Sequence, residues 1–367
     1  MTLTVSQLKQ IARVAHSPDA GFVELVGLAG LDPVTAFQRT TLRGDLSNQD
    51  LAGFDFTGAT FAETCDLTDA DFSHTLGVTP AMLAHAKGQT TVKRPRAWFW
   101  ANGKPPSWAE DWEHDTNGAW SAFRVPGTDV VQKMRWCPPG DFMMGAADDD
   151  KDADDDERPQ HRVAFEQGFW MLDTTVTEAL WTAVTGDKPR SERGPAMPVT
   201  DVSWPDAQSF AEQLNALLPG LALGLPSEAM WEYACRAGTA TPYSFGKTVT
   251  RRQVRYGGKV EAGPAAAGSL PANPWGLYEM HGNVYEWCDD GWVDNYRDAP
   301  PDGAAWQPDG SAFRVVRGGC WFVDARRVRA SYRGRGDPRY RSDRFGFRLA
   351  RVRTSSAERP AEPDRVR

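Results

Sequence analysis

The chain has no run of eighteen apolar residues, so nothing in it reads as a membrane-spanning helix, and its start, MTLTVSQLKQIARVAHS, lacks the basic-then-apolar order of a secretion signal. A cytoplasmic protein without membrane contact is the expectation. Its five cysteines (Cys65, Cys137, Cys235, Cys288 and Cys320) contain no C-x-x-C pair, which removes zinc-ribbon and dithiol chemistry, and the odd, scattered set reads as free thiols. No two histidines and a carboxylate stand at metal-ligand spacing, and His161 and His281 read as structural residues. The acidic run DDDKDADDDERPQH lacks the calcium-loop pattern and reads as a solvated loop. Net positive charge is also missing, because a balance of −8 gives no general reason to meet nucleic acid or an anionic membrane.

What is present describes a folded protein of two or three domains. The chain has 367 residues, 41% hydrophobic, and its fifteen tryptophans are far more than an average composition supplies. Charge is unevenly placed, with acid crowded in 148–157 and arginine in 314–353. Val5, Leu8, Ile11 and Val14 fall at helical spacing, and 22–28 predicts a second short helix, so 1–40 reads as a helical cap. From Gly44 the text repeats every five residues (GDLSN, QDLAG, FDFTG, ATFAE, then CDLTD and ADFSH after Thr64), holding Leu46, Leu51, Phe56, Phe61, Leu67 and Phe72 in one phase.

That block, 41–76, resembles the pentapeptide-repeat family, which implies a short right-handed β-helix with the central Leu or Phe pointing inward. Stacked coils bury one apolar ladder and leave Asp, Asn, Ser and Thr to water. Six repeats cannot bury their faces alone, so the block reads as an adaptor or oligomerisation element. Residues 77–129 read as linker and packing segment, and 354–367 as a disordered tail.

Over 130–353 several motifs agree in order and spacing: MRWCPPGDFMMG (134–145), WMLDTTVTEALWTAVTG (170–186), MPVTDVSWPDAQSFAEQLN (197–215), LPSEAMWEYACRAG (225–238), NPWGLYEMHGNVYEWCDD (273–290) and RVVRGGCW…RFGFRLAR (314–351). Together they resemble the formylglycine-generating enzyme (sulfatase-modifying factor) superfamily, which implies an α+β, irregular C-type-lectin-like fold. The residues add their own reading. Ser203 or Asp206 opens a helix with Ala207, Phe210, Ala211 and Leu214 on one face, and Ser227 caps a second helix with Glu228 in its first turn. The resemblance places a structural calcium site on Glu279, Gly282, Val284 and Glu286; the alternative is that Glu286 caps the Gly-Asn turn.

The oxidase branch of that superfamily uses two cysteines five residues apart, because thiolates bind copper(I) and exchange with a substrate thiol. Motif matching puts Val323 and Val328 there, on which that chemistry cannot run. Cys320 stands at the motif's serine, read as a lone thiol in an exposed loop with no flanking histidine to activate it. The H-x-x-x-H-x-E triad of the ergothioneine-synthase branch is absent. No catalytic residue or catalytic cofactor is expected.

The C-terminal motif also resembles a non-enzymatic branch of the same fold, the variable proteins of diversity-generating retroelements, in which mutagenesis of template adenines turns an AAC codon into any NNC codon. Against a scaffold GGSW…R.R.A.R…P…R…GFRLAR, the interrupting residues are Phe322, Val323, Asp324, Tyr332, Gly334, Arg335, Gly336, Tyr340, Ser342, Asp343 and Arg344, all with NNC codons, as has Cys320. Aromatic, small and charged types on loops suit an adaptable binding surface. The expectation is a non-catalytic protein that binds a protein or other macromolecular ligand through these residues. Two readings stand behind it: an oxidase of altered site using Cys320 or a metal, and nucleic-acid binding through Arg326, Arg327, Arg329, Arg333, Arg335, Arg339 and Arg341, disfavoured by the acidic chain.

Overall fold

The computed structural model describes residues 41–42, 46, 60–63, 65–68, 70, 108–259, 263–308 and 310–351. Two compact units divide the chain: Met1–Pro106 with Glu113–Thr116, and Ser107–Trp112 with Asn117–Arg367. No helix among the described residues is long and apolar enough to cross a membrane.

In the first unit, β1 (Thr41–Leu42) and β2 (Thr60–Phe61) pair in parallel, Leu42 opposite Phe61. Leu46 donates its N–H to the Asp66 carbonyl at 2.8 Å. Leu46, Phe61 and Leu67, three of the six in-phase repeat residues, are buried. Leu51, Phe56 and Phe72 lie outside the described residues, as do the helical cap and the tail.

Strand β3 (Asp111–Asp115) is divided between the two units, and the second unit continues with β4 (Gly118–Arg124), β5 (Val131–Cys137) and β6 (Gly140–Met144). Strand β4 falls in the stretch read from sequence as linker; its residues pair in antiparallel register with β5, Ser121 opposite Met134, and bury Ala119, Ala122 and Phe123. β7 (His161–Phe165) and β8 (Phe169–Leu172) follow, then helices α1 (Glu178–Thr185) and α2 (Trp204–Leu217), β9 (Leu223–Gly224) and α3 (Glu228–Arg236). The chain closes with β10 (Tyr285–Gly291), β11 (Arg314–Arg317), β12 (Arg333–Gly336), β13 (Phe345–Gly346) and β14 (Ala350–Arg351). One sheet has the order β3-β4-β5-β8-β14-β9, a second β12-β11-β10-β13, and β6 pairs with β7. Most of the rest is turn and irregular chain.

The helices form where their caps say they should. Ser203 accepts from the Asp206 N–H while the Asp206 carboxylate accepts from the Ser203 N–H, a reciprocal cap, with Pro205 in the first turn. Ala207, Phe210, Ala211 and Leu214 form the buried stripe of α2. Helix α3 differs from α2, because all nine of its residues are buried, Glu228, Glu232 and Arg236 included. Trp231 and Tyr233 sit in the main core with Phe165, Phe169, Met280 and Val315.

A helix buried on all faces with two carboxylates needs partners for them. Arg333 grips Glu228 with two nitrogens at 2.7 and 2.9 Å, Arg317 pairs with Glu232 and lies 3.6 Å from Glu228, and Arg236 holds Glu232 at 2.8 Å. Burial pushes the Glu228 carboxyl up, but Arg333 and Arg317 outweigh it and hold it below its ordinary value. Replacing Arg317 with Met removes the cation and leaves both carboxylates inside the protein. Loss of about 3–5 kcal/mol of stability is expected in urea unfolding, and a loss under 1 kcal/mol would show that the pairing is not what holds this layer together.

His281 is a second buried pin. Its Nδ1 donates to the Val328 carbonyl at 2.7 Å, so Nε2 is the unprotonated acceptor for the Ser244 N–H at 3.0 Å. Burial lowers its pKa from 6.5 to about 4. The neutral ring therefore contributes stability that is whole above pH 6.5 and is lost as pH falls toward 4, about 3 kcal/mol in all. Asp173 and Asp290, raised by burial to about 6 and about 8, act in the opposite sense over neighbouring ranges. The difference between the parent chain and His281→Gln isolates the histidine: the stability of the parent relative to the variant should fall between pH 6.5 and 4, and parallel curves would refute the assignment.

Candidate functional site

The arginine-rich C-terminal segment alternates between buried anchors and surface residues. After β11, Gly318 and Gly319 both take positive φ (88° and 74°), and a Cβ on Gly319 would lie 2.4 Å from the Arg327 carbonyl oxygen, so the reversal needs glycine. Trp321 is buried beyond it. The chain surfaces at Phe322 and Asp324, where Asp324 caps a short 3-10 turn, Ala325–Val328, by accepting from the Arg327 N–H at 3.3 Å. It dives again at Arg329, Ala330 and Ser331, pairs β12 with β11, and returns to the surface over 337–344 before β13 joins β10 in parallel.

Burial sorts the segment cleanly. Arg317, Trp321, Arg329, Arg333 and Arg348, the residues read as scaffold, are each at most 3% exposed. Phe322, Asp324, Arg335 and Tyr340 are exposed, and Val323, Tyr332, Gly334, Ser342, Asp343 and Arg344 are half-buried. Two members of the sequence-derived set do not reach the surface. Cys320 is fully buried, which corrects its placement in an exposed loop. Gly336 is buried too, and a Cβ there would lie 2.6 Å from the Trp287 ring, so that position has no room for a larger side chain.

Several of the surface residues pack together into a face, while Arg335 stands apart, over Trp292 and Phe313 and paired with Asp294 at 3.4 Å. The Arg344 guanidinium lies 4.3 Å over the Phe322 ring. Tyr340 packs edge-on against Phe345 at 5.3 Å, and Phe345 lies 5.4 Å from Tyr285. Tyr285, whose hydroxyl bonds with that of Tyr332, is a part of the face that sequence reasoning missed. So are Asp206 and Arg193, which reach in from α2 and the loop after α1 to pair with Arg341 at 2.8 Å and Asp343 at 3.4 Å. Both lie over a hundred residues upstream of their partners, and no local pattern marks them as neighbours of this face.

The acidic run is a solvated loop only in part: Asp148, Asp149, Asp152, Asp154 and Asp155 are exposed, but the run also turns inward. Glu157 is fully buried and grips Arg329 through both oxygens at 2.6 and 2.7 Å, with Asp150 at 3.2 Å and the Asp152 carbonyl at 2.8 Å from the same guanidinium. Asp154 pairs with Arg326, and the Asp156 carbonyl accepts from Arg333 at 2.8 Å. The loop is a clamp on the underside of the C-terminal segment. It also removes most of the proposed basic surface. Arg329 and Arg333 are interior, and Arg326, Arg335 and Arg341 are each paired with a carboxylate.

Neither metal set inferred from resemblance is assembled. Val323 and Val328, at the oxidase cysteine positions, join an apolar cluster with Tyr243, Val254, Phe245 and Tyr256. Burial pushes the Cys320 thiol above its ordinary pKa, which leaves it a poor nucleophile. For calcium, Glu286 has both oxygens held by Arg348 at 2.7 and 2.8 Å, and Trp231 adds a 2.7 Å bond. Glu279 accepts from the Gly268 and Leu270 N–H groups at 2.9 and 3.1 Å. Val284 is buried, and the Gly282 N–H donates to the Gly318 carbonyl at 2.7 Å. A guanidinium fills the charge role at Glu286 and backbone donors hold Glu279, so the two carboxylates of the set Glu279, Gly282, Val284 and Glu286 are engaged within the protein and do not fit a calcium cage. Adding millimolar calcium or a chelator should move the melting temperature by less than about 1 °C, since only a ligand bound to the native state shifts it; a rise of several degrees with calcium would reverse this conclusion.

A family model described as the Sulfatase-modifying factor enzyme 1-like domain matches residues 122–353. The serine/threonine-protein kinase pkn1 of Chlamydia caviae is 35% identical over 157 residues, 42% of this chain and 24% of the kinase, so the chain spans about a quarter of that relative. Among solved structures, PvdO from Pseudomonas aeruginosa shares 29% identity and a TM-score of 0.56 over 67% of this chain and 98% of its own. Variable protein 1 of Treponema denticola shares 24% identity and a TM-score of 0.56 over 63% and 98%. At that identity the likeness is one of fold.

Proposed function

The chain belongs to the sulfatase-modifying factor enzyme 1-like family, and we propose that it is a non-catalytic binding member of it, a variable protein of a diversity-generating retroelement that takes a macromolecular ligand on its C-terminal face. One observation carries the reading: along 317–348 Trp321 and the ion-paired Arg317, Arg329, Arg333 and Arg348 are buried, while the interrupting residues, Cys320 and Gly336 apart, are exposed or half-buried. Side chains at the exposed positions Phe322, Asp324, Arg335 and Tyr340 can be exchanged without touching the buried ion pairs that hold the backbone. An oxidase of altered site finds less support, because its two key positions are apolar and the remaining thiol is buried. The pentapeptide block would serve as adaptor or oligomerisation element.

The direct test is genetic. Sequencing this gene and its flanks across a population should reveal a near-copy of the segment encoding about 317–351, differing at adenines, and variants confined to the surface codons. Variation spread evenly over buried and exposed codons would overturn the proposal. At the protein level, Phe322→Ala with Tyr340→Ala should leave stability within about 0.5 kcal/mol per site, as surface changes generally do. Binding of any ligand taken by this face should weaken by about tenfold or more, as loss of aromatic anchors does.

A further inference from the structure

The face described above is unequal in how its charges are used, and this difference indicates what it takes; the inference rests on the binding reading. Every carboxylate on it is engaged within the protein. Asp324 accepts from the Arg327 N–H, Asp337 accepts from the Arg339 N–H at 2.8 Å, and Asp343 pairs with Arg193. The guanidiniums of Arg327 and Arg339 are exposed and make no ion pair among the described residues. Arg344, with 39% of its side chain exposed, has only Asp343 at 3.9 Å, at the limit of an ion pair, and is already oriented by the Phe322 ring. Phe322 at 37% and Tyr340 at 51% exposure add apolar area, the first under Arg344 and the second next to Arg339 in the chain. An arginine stacked on an aromatic ring keeps its in-plane N–H groups free for a carboxylate, and the stacking has already restricted the side chain.

We propose that this face binds an acidic protein segment, whose carboxylates pair with Arg327, Arg339 and Arg344 and whose apolar side chains cover Phe322 and Tyr340. Nucleic acid is the poorer match, because Asp324, Asp337 and Asp343 would lie along a continuous phosphate backbone, whereas separate carboxylates can be placed between them.

The test is selection of a displayed random dodecapeptide library on the full chain, with each selected peptide then measured against two variants. One is Arg327→Ser/Arg339→Ser/Arg344→Ser and the other is Phe322→Ala/Tyr340→Ala. Selected peptides should be enriched in Asp and Glu, should weaken by about tenfold or more on the arginine variant, and should weaken as salt is raised. Peptides that depend on Phe322 and Tyr340 but show no acidic enrichment and no response to the arginine variant would overturn the acidic assignment and leave the binding face standing. If no selected peptide responds to either variant, both proposals fail. A twenty-residue oligothymidine that binds the same face more tightly than the selected peptides would overturn the assignment in favour of nucleic acid.

Discussion

The second unit depends on moving arginine charge into its interior and meeting it there with glutamate. Arg236, Arg317, Arg329, Arg333 and Arg348 are buried, and their partners are Glu228, Glu232, Glu157 and Glu286. An unpartnered charge in that environment would cost several kcal/mol, so each link must be made or the layer opens. Three of the links are two-pronged, and a planar fork against a carboxylate fixes orientation as well as distance. In a fold with short strands and long irregular connections, directional links of this kind supply the definition that long ladders supply elsewhere.

What the sequence discloses and conceals follows from the range of each interaction. The caps of α2 and α3 and the buried stripe of α2 are local patterns and are readable as such, as is the alternation of motif and interrupting residues over 317–351. The partner of each buried charge is not local. Glu157 and Arg329 are joined at 2.6 Å from opposite parts of the chain, so an acidic run reads as hydrated surface until the guanidinium that it holds is seen. The same blindness made Glu286 a candidate calcium ligand, since a carboxylate beside a tight turn looks alike whether a metal or Arg348 is its counter-charge. Cys320 misled for a related reason: a lone thiol after a tight glycine pair gives no local sign that it lies in the interior together with its neighbours Gly319 and Trp321. Tyr285 carried no signal at all, since its place beside Phe345 comes from the parallel pairing of β10 with β13.

The arrangement separates two demands that usually compete. Residues that hold the backbone are placed below, against α3 and the acidic clamp, and residues available for contact are placed above, on Tyr285 and Phe345. Core substitutions are costly because interiors are close-packed, while changes at exposed loop positions leave the packing alone. The exceptions mark the boundary: Gly336 lies against Trp287 and Cys320 under the loop, so the surface set ends where these begin.

The placement of β14 has a consequence for synthesis. That strand lies between β8 and β9, and Arg348 just before it completes the pair with Glu286, so the large sheet and its buried charge remain open until residues 348–351 have left the ribosome. The surface segment is translated immediately upstream. A frameshift or premature stop within it therefore removes the strand that closes the sheet, and yields an unfolded chain open to proteolysis in place of a folded protein with a faulty face. The order of the gene makes completion of the fold a check that the segment before it was read through in frame.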